Sequence, residues 1–217
     1  MTLPYEIKER FYKVIKGDIT LVDFEQWLYS DKELETCLDS EDYINLISLD
    51  FKKSSTKHDL YNFLKKHTDI GEFEAYKMLE LLKEAQQKND KLPYLLMEFY
   101  DLYCSGYDFL QDIGLGMGLD IRVPNIKNST ADTWEELTIE QQNKLLNSFS
   151  PELEKCIEKA IYWLETKKII LTGEKNEIGK YTYKDLRTKK EKKSKLWIPF
   201  SEGKIKGFKN KLWEKLW

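Results

Sequence analysis

Apolar residues recur at helical spacing through most of the chain. In PYEIKERFYKVIK (residues 4–16), Ile7, Phe11, Val14 and Ile15 share one face, and Gly17 follows as a stop signal. Thr20 stands where an N-cap would open LVDFEQWLY. Ser30 with Glu33 matches a capping box, and Ser40 is placed to start EDYINLI. SLDFKKSSTK breaks the period and reads as a loop. HDLYNFLKKH resumes it with Leu60, Phe63 and Leu64 inward. GEFEAYKMLELLKEAQQK is strongly amphipathic through Phe73, Tyr76, Leu79 and Leu82. LPYLLMEFYDLYCSGYDFLQDI predicts another long helix, interrupted only by Gly106.

The pattern changes after residue 113. IGLGMGLDIRVP alternates glycine with single apolar residues, then gives an apolar run that predicts a strand over 118–124, ended by Pro124. NIKNSTAD reads as a polar loop. Thr138 with Gln141 is a second capping box, before LLNSF. Ser150-Pro151 is a helix opening, with Ser as cap and Pro in the first turn, for a helix reaching about Lys167. IILT and the alternating YTYKDL predict strands around a turn at GEKNEIGK. KLWIPF is also β-like, and FKNKLWEKLW returns to helical spacing. The predicted class is therefore α+β and predominantly α-helical: a helical body with a small antiparallel or mixed sheet in the C-terminal half. The expected organisation is a helical domain over 1–172 and a basic appendage over 173–217 packed on it.

The glycine stretch raises the question of a phosphate loop. A dinucleotide fingerprint needs G-x-G-x-x-G after a strand and before a helix, whereas Gly114, Gly116 and Gly118 form G-x-G-x-G after a helix. No Lys-Ser/Thr pair follows, which removes a P-loop. The expected role is structural: a sharp turn at a helix C-terminus, using positive φ and close approach to neighbouring backbone.

Charge alters this picture by its distribution. Residues 1–150 hold 17 Lys/Arg against 28 Asp/Glu, and residues 151–217 hold 18 against 10, so an acidic body precedes a basic tail. Such asymmetry points to an interaction surface. No apolar run approaches the roughly 20 residues that span a bilayer, and MTLPYEIKER has no signal-peptide core. Cys37, Cys104 and Cys156 are widely spaced and odd in number. They are expected to be buried free thiols, and the protein to be cytoplasmic.

Motifs for chemistry are few. His58 and His67 are nine apart, not at the i,i+4 spacing of a shared metal, and there is no C-x-x-C or H-E-x-x-H. No metal, cofactor or catalytic residue is therefore assigned. On the long helix, Tyr100, Tyr103 and Tyr107 make one stripe at i, i+3, i+7. Asp101, Asp108 and Asp112, with Glu98 nearby, lie roughly opposite Leu95, Leu102 and Phe109. The ordinary reading is a half-buried stripe beside a solvated acidic face. The functional reading is a protein-binding surface, because tyrosine is enriched at interface hot spots. Asp120 and Trp134 extend that surface. Arg187, Lys189, Lys190, Lys192, Lys193 and Lys195 form a basic run, read as a solvated hairpin loop or, alternatively, a nucleic-acid contact.

KVIKGDITLVDFEQWLY and ELETCLDSEDYINLISLDF, with EFYDLYCSGYDFLQDIGLGMGLDI and STADTWEELT, resemble small proteins of Gram-positive bacteria of the type that confers immunity to polymorphic toxins. The resemblance covers roughly residues 5–172 and carries no catalytic motif. It implies a non-enzymatic inhibitor that occludes a protein partner, a toxin domain, sterically and electrostatically. An acidic surface suits a basic nuclease toxin. The alternatives are a nucleic-acid-associated regulator using the basic tail, and an enzyme whose site is assembled from distant residues.

Overall fold

The computed structural model describes residues 3–126 and 131–193. Expectations for KLWIPF, FKNKLWEKLW and Lys195 fall outside them, as does part of the NIKNSTAD loop. The fold is predominantly helical α+β, with one two-stranded antiparallel sheet among the described residues. The chain forms two compact units: Met1–Lys77 with Leu171–Gly173, and Met78–Ile170 with Glu174–Trp217.

The first unit is a chain of short helices: α1 (Tyr5–Lys16), α2 (Leu21–Ser30), α3 (Lys32–Cys37), α4 (Ser40–Ile47), α5 (Thr56–His67) and the start of α6 (Ile70–Gln86). Thr20 caps α2 in a full capping box: its hydroxyl accepts from the Asp23 N–H, and its own N–H donates to the Asp23 carboxylate. The other two caps differ from expectation. Asp31 and Asp39, not Ser30 and Ser40, accept the first N–H groups of α3 and α4. An ionised carboxylate is the stronger acceptor and also answers the helix dipole.

Aromatic packing builds the core of this unit. Phe11 meets Phe24 edge-on at 5.1 Å and stacks on Phe63 at 5.4 Å, while Tyr12 lies 5.0 Å from Phe73 and 5.1 Å from Tyr76. At the side of this core Asp42, 5% exposed, joins α4 to α5. It accepts from Lys66 Nζ at 2.6 Å and faces His67 Nε2 at 3.0 Å. His67 in turn lies against the Phe63 ring at 4.4 Å.

The second unit contains α7 (Leu92–Cys104), α8 (Gln111–Ile113), a π-helical turn (Gly114–Gly118), α9 (Leu119–Arg122), α10 (Ile139–Phe149), α11 (Glu152–Glu165), and the strands β1 (Ile169–Lys175) and β2 (Tyr181–Asp185). The hairpin was legible. Asn176 Oδ1 accepts from the Ile178 and Lys180 N–H groups, and Gly179 takes φ +79°.

Two expectations for this unit are corrected. The long helix from Leu92 does not run through Gly106. It ends at Cys104, because Gly106 takes φ +118° and its α-hydrogen side lies against Tyr181: a Cβ there would sit 2.6 Å from the Tyr181 carbonyl oxygen. The chain then makes a 3-10 turn over Asp108–Leu110 and starts a new helix.

The strand expected over 118–124 is helix as far as Arg122, and the glycines do not turn the chain through positive φ: φ is −71° at Gly114 and −61° at Gly118. Their second expected role, close approach, is what the structure uses. A Cβ on Gly114 would stand 2.6 Å from the Phe99 carbonyl oxygen, and one on Gly118 would overlap the Leu96 carbonyl oxygen. Four residues apart, the two glycines let this segment lie directly on the backbone of α7. Met117 and Ile121 are also four apart, and with Ile113 they are buried. The π turn holds both sets inward where the sequence shows only alternation.

The cysteines also divide. Cys156 is buried, Cys37 half-buried and Cys104 exposed. Burial, followed by Asp112, pushes the Cys156 thiol up to about 11.

Two outcomes follow. In an ordinary helix, Gly→Ala gains about 1 kcal/mol of propensity. Gly118→Ala is instead expected to cost about 1–3 kcal/mol, because backbone must move to admit the methyl. Urea unfolding measures the sign, and a stabilised variant would show that the close crossing is absent. The second outcome concerns pH. Burial lowers the His67 pKa more than Asp42 raises it. The unfolded chain therefore binds the extra proton first, and stability is lost as pH falls below the free-histidine value of about 6.5. Melting temperature should drop between mildly alkaline and mildly acidic pH, and His67→Gln should flatten that drop.

Candidate functional site

Two surfaces of the second unit gather the residues of interest. The first is α7. Its inward face is set by Leu92, Leu95, Leu96 and Phe99, all buried. That leaves Glu98 and Asp101 exposed and Tyr100 and Tyr103 half-buried. The tyrosine stems flank the glycine crossing: Tyr103 Cβ would be 2.9 Å from a Cβ on Gly114, and Tyr100 Cβ 3.0 Å from one on Gly118. One guanidinium nitrogen of Arg122 donates to both oxygens of Asp101, at 2.6 and 2.7 Å. This exposed pair ties α9 to α7 and offsets one negative charge; its own stabilisation is small. Glu98 has no such partner among the described ion pairs. Burial raises its carboxyl pKa first, then the like charges of Asp101 and Glu84.

The rest of the expected acidic stripe is elsewhere. Because the chain breaks at Gly106, Asp108 and Asp112 are not on α7. Tyr107 and Trp134 are 1% and 6% exposed, so both are core residues here and present no contact surface. Tyr107 stacks on Tyr181 of β2 at 5.1 Å with the rings 9° apart. The Trp134 carbonyl accepts from Gln142 Nε2 of α10. Asp120 is half-buried on α9.

The second surface is a cleft of about 790 Å³ between the end of α11, the Asp108–Asp112 stretch, β2 and the turn that follows. Its aromatic lining comes from Phe109, Tyr162, Trp163 and Tyr183. Arg187 is the central cation. It holds Asp185 with Nε and Nη2 at 3.0 and 2.9 Å, and its guanidinium lies 4.4 Å from the Trp163 ring centre. Lys192 reaches the same carboxylate at 3.3 Å. Lys168 donates to Glu191 at 2.5 Å and sits over the Tyr162 ring at 4.9 Å. Glu191 also accepts from the Thr188 N–H and hydroxyl, at 2.9 and 2.8 Å, which shapes the turn.

The electrostatics follow these contacts. Arg187 holds the Asp185 carboxyl down at about 2, and Lys168 does the same for Glu191. Burial, then Asp108, pushes the Tyr183 hydroxyl up to about 12. All three keep a fixed protonation state across neutral pH, an arrangement suited to recognising charge. No group of three or more His, Cys, Asp or Glu side chains is placed to hold a metal among the described residues. No described helix is long and apolar enough to cross a membrane.

The basic run of the sequence is thus split. Arg187 and Lys192 are engaged with Asp185, while Lys190 and Lys193 line the cleft without an ion pair among the described residues. Lys189 is exposed beside them. The helix and strand residues of the cleft were not singled out from sequence. Two signals were present: Lys159 and Trp163 are four apart on α11, and Tyr181, Tyr183 and Asp185 alternate on one face of β2. Comparison with family models, curated proteins and solved structures found no match.

The Arg187 pairing has a pH signature. Asp185 is mostly buried, so Arg187→Ala should cost about 1–3 kcal/mol at neutral pH by leaving that carboxylate without its main donor. A depressed carboxyl pKa contributes stability above the free value of about 4, lost as pH falls through about 2. Unfolding midpoints of wild type and variant should therefore converge between pH ~4 and pH ~2. A gap that does not change with pH would assign the loss to packing on Trp163 instead.

Proposed function

We propose that the chain is a protein-binding module that occludes a cationic partner, in the manner of an immunity protein acting on a toxin domain. The observation that carries this reading is the outer face of α7. Two tyrosines stand on it with their stems packed over a glycine crossing, next to the exposed carboxylates of Glu98 and Asp101. Tyrosines held this way lose little further freedom on binding, which favours affinity. The neighbouring negative charge favours fast encounter with a basic surface. The elevated Glu98 pKa supports the same reading, since a lysine or arginine brought by a partner relieves the repulsion among Glu98, Asp101 and Glu84. The contact set is accordingly Glu98, Tyr100, Asp101 and Tyr103, without the core residues Tyr107 and Trp134.

Affinity capture from native lysate, read by mass spectrometry, tests the proposal. Wild-type protein should retain a stoichiometric basic protein partner, and adding salt should slow its association. Glu98→Lys with Tyr103→Ala should weaken capture by at least tenfold, on the scale of one hot-spot residue at about 2 kcal/mol, while the melting curve stays close to wild type. Retention of the partner by that variant would place the contact elsewhere, and no stoichiometric partner at all would remove the proposal.

A further inference from the structure

The cleft beside α11 carries charge that its own ion pairs do not balance. Asp185 is matched by Arg187 and Lys192, and Glu191 by Lys168. Lys159, Lys190 and Lys193 line the same cleft with no ion pair among the described residues. Asp108 and Asp112 belong to a different stretch of the lining. The remaining chain, 194–217, has 6 Lys against 2 Glu, so its composition adds positive charge rather than cancelling it. The excess calls for an anion from outside the chain.

The donor type selects among anions. A planar carboxylate is best matched by the two-pronged guanidinium. The only arginine of the cleft is already spent in that way, on Asp185. What is left is ammonium groups, compact point charges that suit a tetrahedral phosphate. Beside them stands Tyr162, 49% exposed and three residues from Lys159 on α11. Lys168 is placed over its ring, so that ring combines a π surface with a nearby cation. Base stacking on an aromatic ring next to a positively charged groove is how single-stranded nucleic acids and nucleotides are held without sequence preference. At about 790 Å³ the cleft has the volume of a small-ligand site.

We infer that this cleft binds a nucleotide phosphate, with Lys159, Lys190 and Lys193 as the phosphate donors and Tyr162 as the stacking surface. The site is separate from the α7 face and does not depend on it. The ligand is a free nucleotide or a single strand, which share this chemistry.

Full-length protein should be titrated at low and high salt with a fluorescein-labelled oligothymidylate, read by anisotropy, and with ATP, read by calorimetry. Binding of the oligonucleotide with weak ATP binding assigns a single strand; the reverse assigns a free nucleotide. Lys159→Gln/Lys190→Gln/Lys193→Gln should weaken the bound ligand at least tenfold. For a single strand it should also flatten the salt dependence by about 0.7 per lost phosphate contact. The corresponding triple arginine variant should retain binding, which separates loss of charge from loss of structure. Tyr162→Ala should weaken binding several-fold at unchanged salt slope. The inference fails if neither probe binds at low salt, if the glutamine variant binds like wild type, or if a poly-glutamate peptide competes as well as the oligonucleotide.

Discussion

The second unit depends on one contact: the backbone of the Gly114–Gly118 turn lying on the carbonyls of Leu96 and Phe99. Ordinary side chains hold helix axes about 8–10 Å apart. Glycine at two positions on one face removes that spacer, and the neighbouring Ile113, Met117 and Ile121 close over the sides of α7. Close packing of this kind is a dispersion effect, small per atom and large over a helical turn. It also fixes what stands on the far side of α7, because a helix pinned along its backbone cannot roll.

Charge is used in two distinct ways in this unit. Around Arg187 it is structural: donor and acceptor are matched, the ring of Trp163 shields the guanidinium, and the carboxylates stay ionised well below neutrality. On α7 and on the lysine wall of the cleft it is left over. Leftover charge of one sign carries a self-repulsion that a ligand of the other sign relieves. The two leftover patches have opposite sign, so one chain presents distinct surfaces to cationic and anionic partners.

Much of this was legible in the sequence. The periodicity of Ile7, Phe11 and Val14 gave α1, Thr20 and Thr138 capped where expected, and the alternation of YTYKD with a Gly-bearing turn gave the hairpin. The misreadings share a cause, which is contact between residues far apart in the chain. Alternating glycines have poor helix propensity, and only the backbone of α7 makes them helical. Gly106 looked like a tolerated interruption, and it is the approach of Tyr181 that makes it a corner. Tyr107 shares a period with Tyr100 and Tyr103, yet past that corner its ring belongs to the sheet. The acidic stripe therefore separated into an α7 part that survived and an Asp108–Asp112 part that joined the cleft.

The π turn has a consequence for how this protein can change over evolutionary time. Its wide turn accommodates extra chain that a regular α-helix of the same rise would not. Removing one residue between Gly114 and Gly118 would let the segment relax to α geometry, and everything after it would swing by about 100° about the helix axis. Arg122 would then leave Asp101, and Ile121 would leave the core. Length in this stretch is under tighter constraint than identity. Leu115 can be exchanged for another apolar residue, whereas a single-codon deletion would rotate α9 out of phase with the helix it lies on.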